Sequence, residues 1–153
     1  MKICNRFNYK GALEILEKQE SIFQELEQIV NNDLQFGRDK PAKIKKYVAE
    51  KFNKMGWGDK IKVANSKLTI NFKKSGVGVC FQLGNVARTY ADLLKLMELY
   101  SRNSIEVGAI YVAHSIEAKK MGTNYAQYQR LVGELELFRD IITIPIYVIG
   151  LSN

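Results

Sequence analysis

The sequence predicts an α/β fold, a mixed β-sheet flanked by helices with two further helices ahead of it. Three observations carry that prediction. Apolar residues recur at helical spacing through residues 9–32 and again after Pro41. The period switches to two between residues 60 and 83. Two nearly unbroken apolar runs, 105–113 and 143–151, alternate with helical patterns, the mark of strands covered on both faces.

Each element has its own warrant. Ala12, Ile15, Leu16, Ile22, Phe23, Leu26, Ile29 and Val30 form one stripe, interrupted by Gln19, which predicts a single amphipathic helix over 9–32. Asn31-Asn32-Asp33 and Gly37 end it. Pro41 suits the first turn of a second helix, with Ile44, Val48, Phe52 and Met55 on one side, and Gly56-Trp57-Gly58 stops it. Residues 60–64 and 67–72 then predict strands. Residues 77–83 follow, with Val77, Val79, Phe81 and Leu83 on one face and Gly78, Cys80 and Gln82 on the other. Between them Ser75-Gly76 predicts a two-residue hairpin loop, which pairs Lys74 with Val77 and, three residues back, sets Asn71 opposite Cys80. Gly84-Asn85 opens a long helix over 86–102, with Val86, Tyr90, Leu93, Leu94, Met97 and Tyr100 inward. Gly122-Thr123-Asn124 precedes another, with Tyr125, Tyr128, Leu131, Val132, Leu135 and Phe138 at helical spacing. The order is β-β-α-β-α-β over residues 60–151, behind a helical part at 1–56, all in one domain of 153 residues.

Composition narrows the function. Hydrophobic residues at 46% and charged residues at 25% exclude a disordered tail, a collagen-like chain and a disulfide scaffold. No apolar run approaches the ~18 residues of a membrane span, and the N-terminus lacks the apolar stretch of a secretory signal. Two cysteines, Cys4 and Cys80, and one histidine, His114, argue against a Cys/His zinc site and for a reducing, cytoplasmic setting. Lys+Arg number 23 against 16 Asp+Glu, giving a net charge of +7 that favours a polyanionic partner. The excess is concentrated in residues 38–62, where Arg38, Lys40, Lys43, Lys45, Lys46, Lys51, Lys54, Lys60 and Lys62 face only Asp39, Glu50 and Asp59. Such a run serves equally as a solvated helix face or as a phosphate-facing patch.

One stretch is more specific. Ile70-Asn71-Phe72, Cys80-Phe81-Gln82 and the following Gly84-Asn85 resemble the hairpin of the BglII/BstYI-like branch of type II restriction endonucleases, within the PD-(D/E)XK nuclease superfamily. The resemblance extends over residues 60–151 and implies a restriction-endonuclease-like fold. In that branch the pattern is Ile-Asp-Phe, a Glu nine positions after the Asp, and a Gln two further on. Here the spacing survives, but Asn71 holds the Asp position and Cys80 the Glu position, and only Gln82 is retained. The resemblance implies Asn71, Cys80 and Gln82 as the catalytic set, with Asn71 and Cys80 in the metal-ligand positions.

The chemistry of those positions sets the question. Phosphodiester hydrolysis in this family uses a hard divalent ion, Mg²⁺, to polarise the phosphate and acidify a water. Mg²⁺ prefers anionic oxygen at near-octahedral geometry. Asn71 offers a neutral carbonyl oxygen, and Cys80 a soft sulfur that is mostly protonated at neutral pH. Three readings fit. The chain is a silent nuclease that still binds DNA; another acid, such as Glu25, Glu27 or Glu106, enters the metal shell; or the two positions were altered to trap a complex. Taken without the resemblance, Asn71 and Cys80 are ordinary sheet residues.

Further residues follow by position in the family. Base contacts fall on Asn85 and on Thr123 and Asn124, where asparagine suits adenine and threonine donates or accepts; each serves equally as a helix cap. Arg88 is placed to meet phosphate or to pair with Asp92 at i+4. Lys73 and Lys74 in the hairpin turn make a solvated tip or a phosphate contact, and His114 is a loop residue at a strand end. The expectation is a homodimer that binds double-stranded DNA at a short palindrome with a GATC-type centre, with Mg²⁺-dependent cleavage to a 5′-phosphate weakened or lost. The alternative is an inactive nuclease-fold DNA-binding or regulatory protein, and a third possibility is a basic protein-interaction domain.

Overall fold

The computed structural model describes all 153 residues. The chain begins with a strand, β1 (Lys2–Tyr9), where the sequence reading placed only helices. Its alternation of half-buried Ile3, Asn5 and Phe7 with exposed Lys2, Cys4, Arg6 and Asn8 has a period of two, but Asn5 dilutes the apolar side. Lys10 and Gly11, both at positive φ, turn the chain into the helical segment. The single helix expected over 9–32 is two, α1 (Ala12–Glu17) and α2 (Glu20–Gln28). They part at Gln19, the one polar residue in the stripe, whose backbone leaves the helical region at φ −119°, ψ 65°. α3 (Pro41–Lys54) starts on Pro41 as expected.

Beyond α3 come β2 (Gly58–Lys62), β3 (Thr69–Lys74) and β4 (Val77–Gln82). Ser75 at φ 48° and Gly76 at φ 76° make a two-residue loop with both φ values positive, the geometry that matches strand twist. The register is the expected one: Lys74 pairs with Val77, Lys73 with Gly78 and Phe72 with Val79. α4 (Ala87–Ser101), β5 (Val107–Ala113), α5 (Ser115–Met121), α6 (Tyr128–Leu137) and β6 (Ile146–Ser152) complete the chain. The short α5 was not foreseen; the His114 ring nitrogen Nδ1 caps it by accepting from the Ile116 N–H. Tyr125 lies outside α6, in an extended stretch.

The six strands form one mixed sheet in the order β1-β6-β5-β4-β3-β2. β4, β5 and β6 run parallel at its centre, with antiparallel β1 at one edge and β3 and β2 at the other. The strands therefore bury both faces. On one face α1, α2, α3 and α5 cover Phe72, Val79, Phe81, Val107, Tyr111 and Tyr147. There Phe52 of α3 is fully buried, stacked on Phe72 at 4.2 Å between ring centroids and edge-on to Trp57 at 5.1 Å. On the other face α4 and α6 cover Ile70, Cys80, Ile110, Val112, Ile146 and Val148.

Two glycines bring α4 close to the sheet. A Cβ on Gly78 would meet Leu96 at 3.2 Å, and one on Gly108 would meet it at 3.1 Å. Leu96 thus rests on bare backbone, and Asp92, one turn earlier, is carried down beside β4. Tyr90 and Leu94, expected inward, lie on the outer side of α4, with Leu94 67% exposed. Phe138, just past α6, is also part-exposed, because both helices need only one narrow stripe against the sheet.

Candidate functional site

The hairpin ladder is recorded as far as Phe72–Val79, and beyond it β3 and β4 part. Asn71 is the next residue on β3. It is exposed, and its side-chain Oδ1 accepts from the Phe81 N–H at 2.9 Å, holding the two strands together where the backbone ladder ends. A cleft of about 300 Å³ opens there, lined by Asn71, Gln82, Arg88, Asp92, Lys95 and Lys45 among others. Cys80 sits beneath it, fully buried among Ile70, Leu93 and Leu96. Of the three sequence-predicted catalytic positions, Asn71 and Gln82 line the cleft, while Cys80 is closed off in the core and the expected Asn71–Cys80 pair is not part of the ladder.

Their chemistry is different from that of a metal pair. Burial, and then the carboxylate of Asp92, push the Cys80 thiol well above its ordinary range, so it stays a neutral S–H. Gln82 is 6% exposed and donates through Nε2 to Asp92 Oδ2 at 2.5 Å. Asp92 is held on its other oxygen by Lys95 Nζ at 2.6 Å, and Lys95 also donates to the Thr69 carbonyl at 3.0 Å. Lys45 comes from α3, on the other side of the sheet, yet lines the same cleft. Desolvation, and then the charge of Arg88, lower the pKa of Lys45 below its ordinary value. Neither Lys45 nor Arg88 has an acidic partner within ion-pair distance.

The acids proposed to migrate do not reach the cleft. Glu25 accepts from Trp57 Nε1 at 2.7 Å and Lys74 Nζ at 2.8 Å. Glu27 binds Arg6 and Tyr147, and Glu106 packs beside Gly76 at the hairpin turn. The acid that does reach it is Asp92, and its partner is Lys95 rather than Arg88. The sequence reading offered only Arg88, one turn before Asp92; in the structure Asp92 instead holds Lys95 on one oxygen and Gln82 on the other.

A Mg²⁺ ion would meet one carboxylate here, already paired with an ammonium, a neutral thiol and an amide oxygen in use. No three His, Cys, Asp or Glu side chains gather anywhere in the chain. This donor set does not fit a hard divalent ion.

Lys73 and Lys74 also depart from expectation. They are not a free tip: Lys73 donates to Ser104 Oγ at 2.8 Å, and Lys74 bonds Glu25 and the Met55 carbonyl. The two loops expected to read bases, in contrast, are joined. The Val86 N–H donates to Asn124 O, and the Ala126 N–H to Gly84 O, each at 2.8 Å, with an antiparallel bridge between Asn85 and Tyr125. Asn85, Arg88, Thr123 and Asn124 are exposed together at this end of the sheet. Asn85 Oδ1 accepts from the Ala87 N–H, as a cap does. Thr123 and Asn124 make no side-chain hydrogen bond and cap nothing.

The burial of the two thiols gives a direct check. Cys4 is exposed and Cys80 buried, so native protein should react with a thiol reagent at one site, and the second thiol should react only in denaturant. Two fast thiols in the native state would contradict the closed packing around Cys80.

The fold and the chain's relatives agree. The structure matches restriction endonuclease BglII complexed with a DNA 16-mer at a TM-score of 0.83 and 18% identity, over 100% of this chain and 77% of that one. It matches free BglII at a TM-score of 0.77 and 20% identity, over 100% and 80%. No curated protein sequence matches. The family described as restriction endonuclease BglII/BglIII matches residues 5–151, nearly the whole sequence, and the chain belongs to that family.

Proposed function

We propose that this protein binds double-stranded DNA as a homodimer at a short palindrome, in the cytoplasm, and that Mg²⁺-dependent cleavage has been lost. The observation that carries this reading is the cleft itself. The spacing of positions 71, 80 and 82 matches the resembled pattern, while its two metal-ligand positions hold an amide and a buried thiol, and the cleft is lined by three cations against one carboxylate. Asn85, Thr123 and Asn124, side by side at the same end of the sheet, supply hydrogen-bonding groups for base edges. A GATC-type centre follows from the family resemblance.

Two protomers on one duplex would mirror the two-fold symmetry of the site. The outer surface of α4 and α6 supports that arrangement. Leu94 and Leu137 are 67% and 75% exposed, each within about a turn of the Tyr90–Glu134 hydrogen bond that links the two helices, and Ile141 is exposed nearby in sequence. These are large apolar side chains for a surface to leave uncovered.

The test is a gel shift with a GATC-centred palindromic duplex at two salt concentrations, alongside plasmid nicking across Mg²⁺ and Mn²⁺. The expected outcome is a two-protomer complex that weakens steeply with salt, and intact plasmid under both metals. Metal-dependent nicking by the unaltered chain would overturn the loss of cleavage. Absence of any duplex binding would overturn the whole reading in favour of a protein-interaction domain.

A further inference from the structure

The cleft between β3 and β4 is lined by more cations than carboxylates. It carries three, Lys45, Arg88 and Lys95, against the single carboxylate of Asp92. Asp92 is bonded to Lys95, and although its charge also favours the Lys45 ammonium, neither Lys45 nor Arg88 has an acidic partner of its own within ion-pair distance. With Asn71 Oδ1 occupied by the Phe81 N–H, the Asn71 amide has only its Nδ2 donors to offer. Gln82 Oε1 and the Thr69 hydroxyl aside, the uncommitted polar groups facing the cleft are therefore donors and positive charges. Holding Lys45 half-buried beside Arg88 costs free energy in the free protein, and an anion between them would offset that cost.

We infer that this cleft binds a phosphate group directly, with no divalent cation, through Lys45, Arg88 and the Asn71 amide. Asp92 acts as a positioning residue: it fixes Lys95 and the Gln82 amide, so that neither swings into the space the phosphate takes. The fixed ammonium and guanidinium groups supply the charge that a metal ion would otherwise bring. The phosphate is either an internal phosphodiester of DNA or a terminal monoester such as a 5′-phosphate at a nick. The first source rests on the DNA-binding reading above; the pocket does not.

Two measurements on the full chain separate these ideas. In the first, sodium phosphate replaces sodium chloride at constant ionic strength while NMR follows the Asn71 side-chain amide and the Arg88 Nε–H. Saturable shifts are expected, unchanged by Mg²⁺ or EDTA, and weakened at least about tenfold by Lys45→Ala. Asn71→Asp, which keeps an oxygen to accept from the Phe81 N–H while adding a negative charge, should weaken them as much. No saturable shift in the parent protein would overturn the inference.

The second measurement is duplex binding in EDTA. Lys45→Ala and Arg88→Ala should each weaken binding about fivefold or more and flatten the salt dependence by about one counterion, whereas Lys2→Ala on β1 should do neither. Tighter binding to a 5′-phosphorylated nick than to intact duplex assigns the monoester; equal binding assigns the diester. If duplex binds but Lys45→Ala and Arg88→Ala both match the parent, the pocket is wrong and the DNA-binding proposal survives. If duplex fails to bind while inorganic phosphate shifts Asn71 and Arg88, the pocket survives and the DNA-binding proposal falls.

Discussion

Cys80→Glu, the change that restores the family's acid, is expected to destabilise the protein by several kcal/mol rather than to rebuild a catalytic site. The thiol is fully buried and packed by Ile70, Leu93 and Leu96, with Leu96 pressed onto the Gly78 backbone. Adding the longer side chain to packed space costs ~1–3 kcal/mol. The carboxyl must also stay neutral beside Asp92. Holding a group of ordinary pKa ~4.3 protonated at pH 7 costs ~4 kcal/mol. Together these approach the ~5–15 kcal/mol that holds a domain folded. The pH dependence has a definite sign. A carboxyl whose pKa is raised by folding binds more protons in the native state, so its penalty grows as pH rises through the unfolded value and shrinks toward ~pH 4. Urea midpoints of variant and parent should therefore diverge from about pH 4 to pH 8. Equal midpoints across that range, or Mg²⁺-dependent nicking by Cys80→Glu or by Asn71→Asp/Cys80→Glu, would show that the cleft reopens on demand.

Phe52→Ala should cost ~3–5 kcal/mol, the ordinary range for emptying a buried aromatic site. Phe52 is the central ring of the α3 face, touching Phe72, Trp57 and Tyr111, with fully buried Val48 and Ile44 preceding it on the same side of the helix. The loss reaches the cleft because α3 also carries Lys45. The expected result is a lower urea midpoint with an unchanged slope, and phosphate binding weakened in the fraction that remains folded. A loss below ~1 kcal/mol would mean that α3 is anchored by something other than this aromatic cluster.

The sequence was most legible where the determinants are local. Ser75-Gly76 sets a loop of known geometry, and that alone fixes the pairing of residues 72–74 with 77–79. The glycine, cysteine and glutamine of β4 alternate cleanly with valine and phenylalanine, so the face was readable too. What could not be read depends on distant contact. β1 looks weak because Asn5 occupies its inner side, and its only strand partner lies at the far end of the sequence. Lys45 is one lysine in a run of similar ones, and only the docking of α3 distinguishes it. Asp92 has basic residues at both i−4 and i+3, and its role is fixed by Gln82 from another element. A helical stripe with one polar member did not show that Gln19 marks a break.

The pairing of β1 with β6 has a consequence for how the molecule is made. β6 separates β1 from the rest of the sheet, with Lys2 opposite Ser152 and Tyr9 opposite Ile146. β1 leaves the ribosome before β2 to β6 and thus has no docking place until β6 has been synthesised. It must remain unpaired in the meantime, a nascent segment whose exposed N–H and C=O groups invite association with other chains. Folding that closes on so non-local a contact is slow by topology, and a chain cut short before Ile146 would leave both β1 and β5 as open edges.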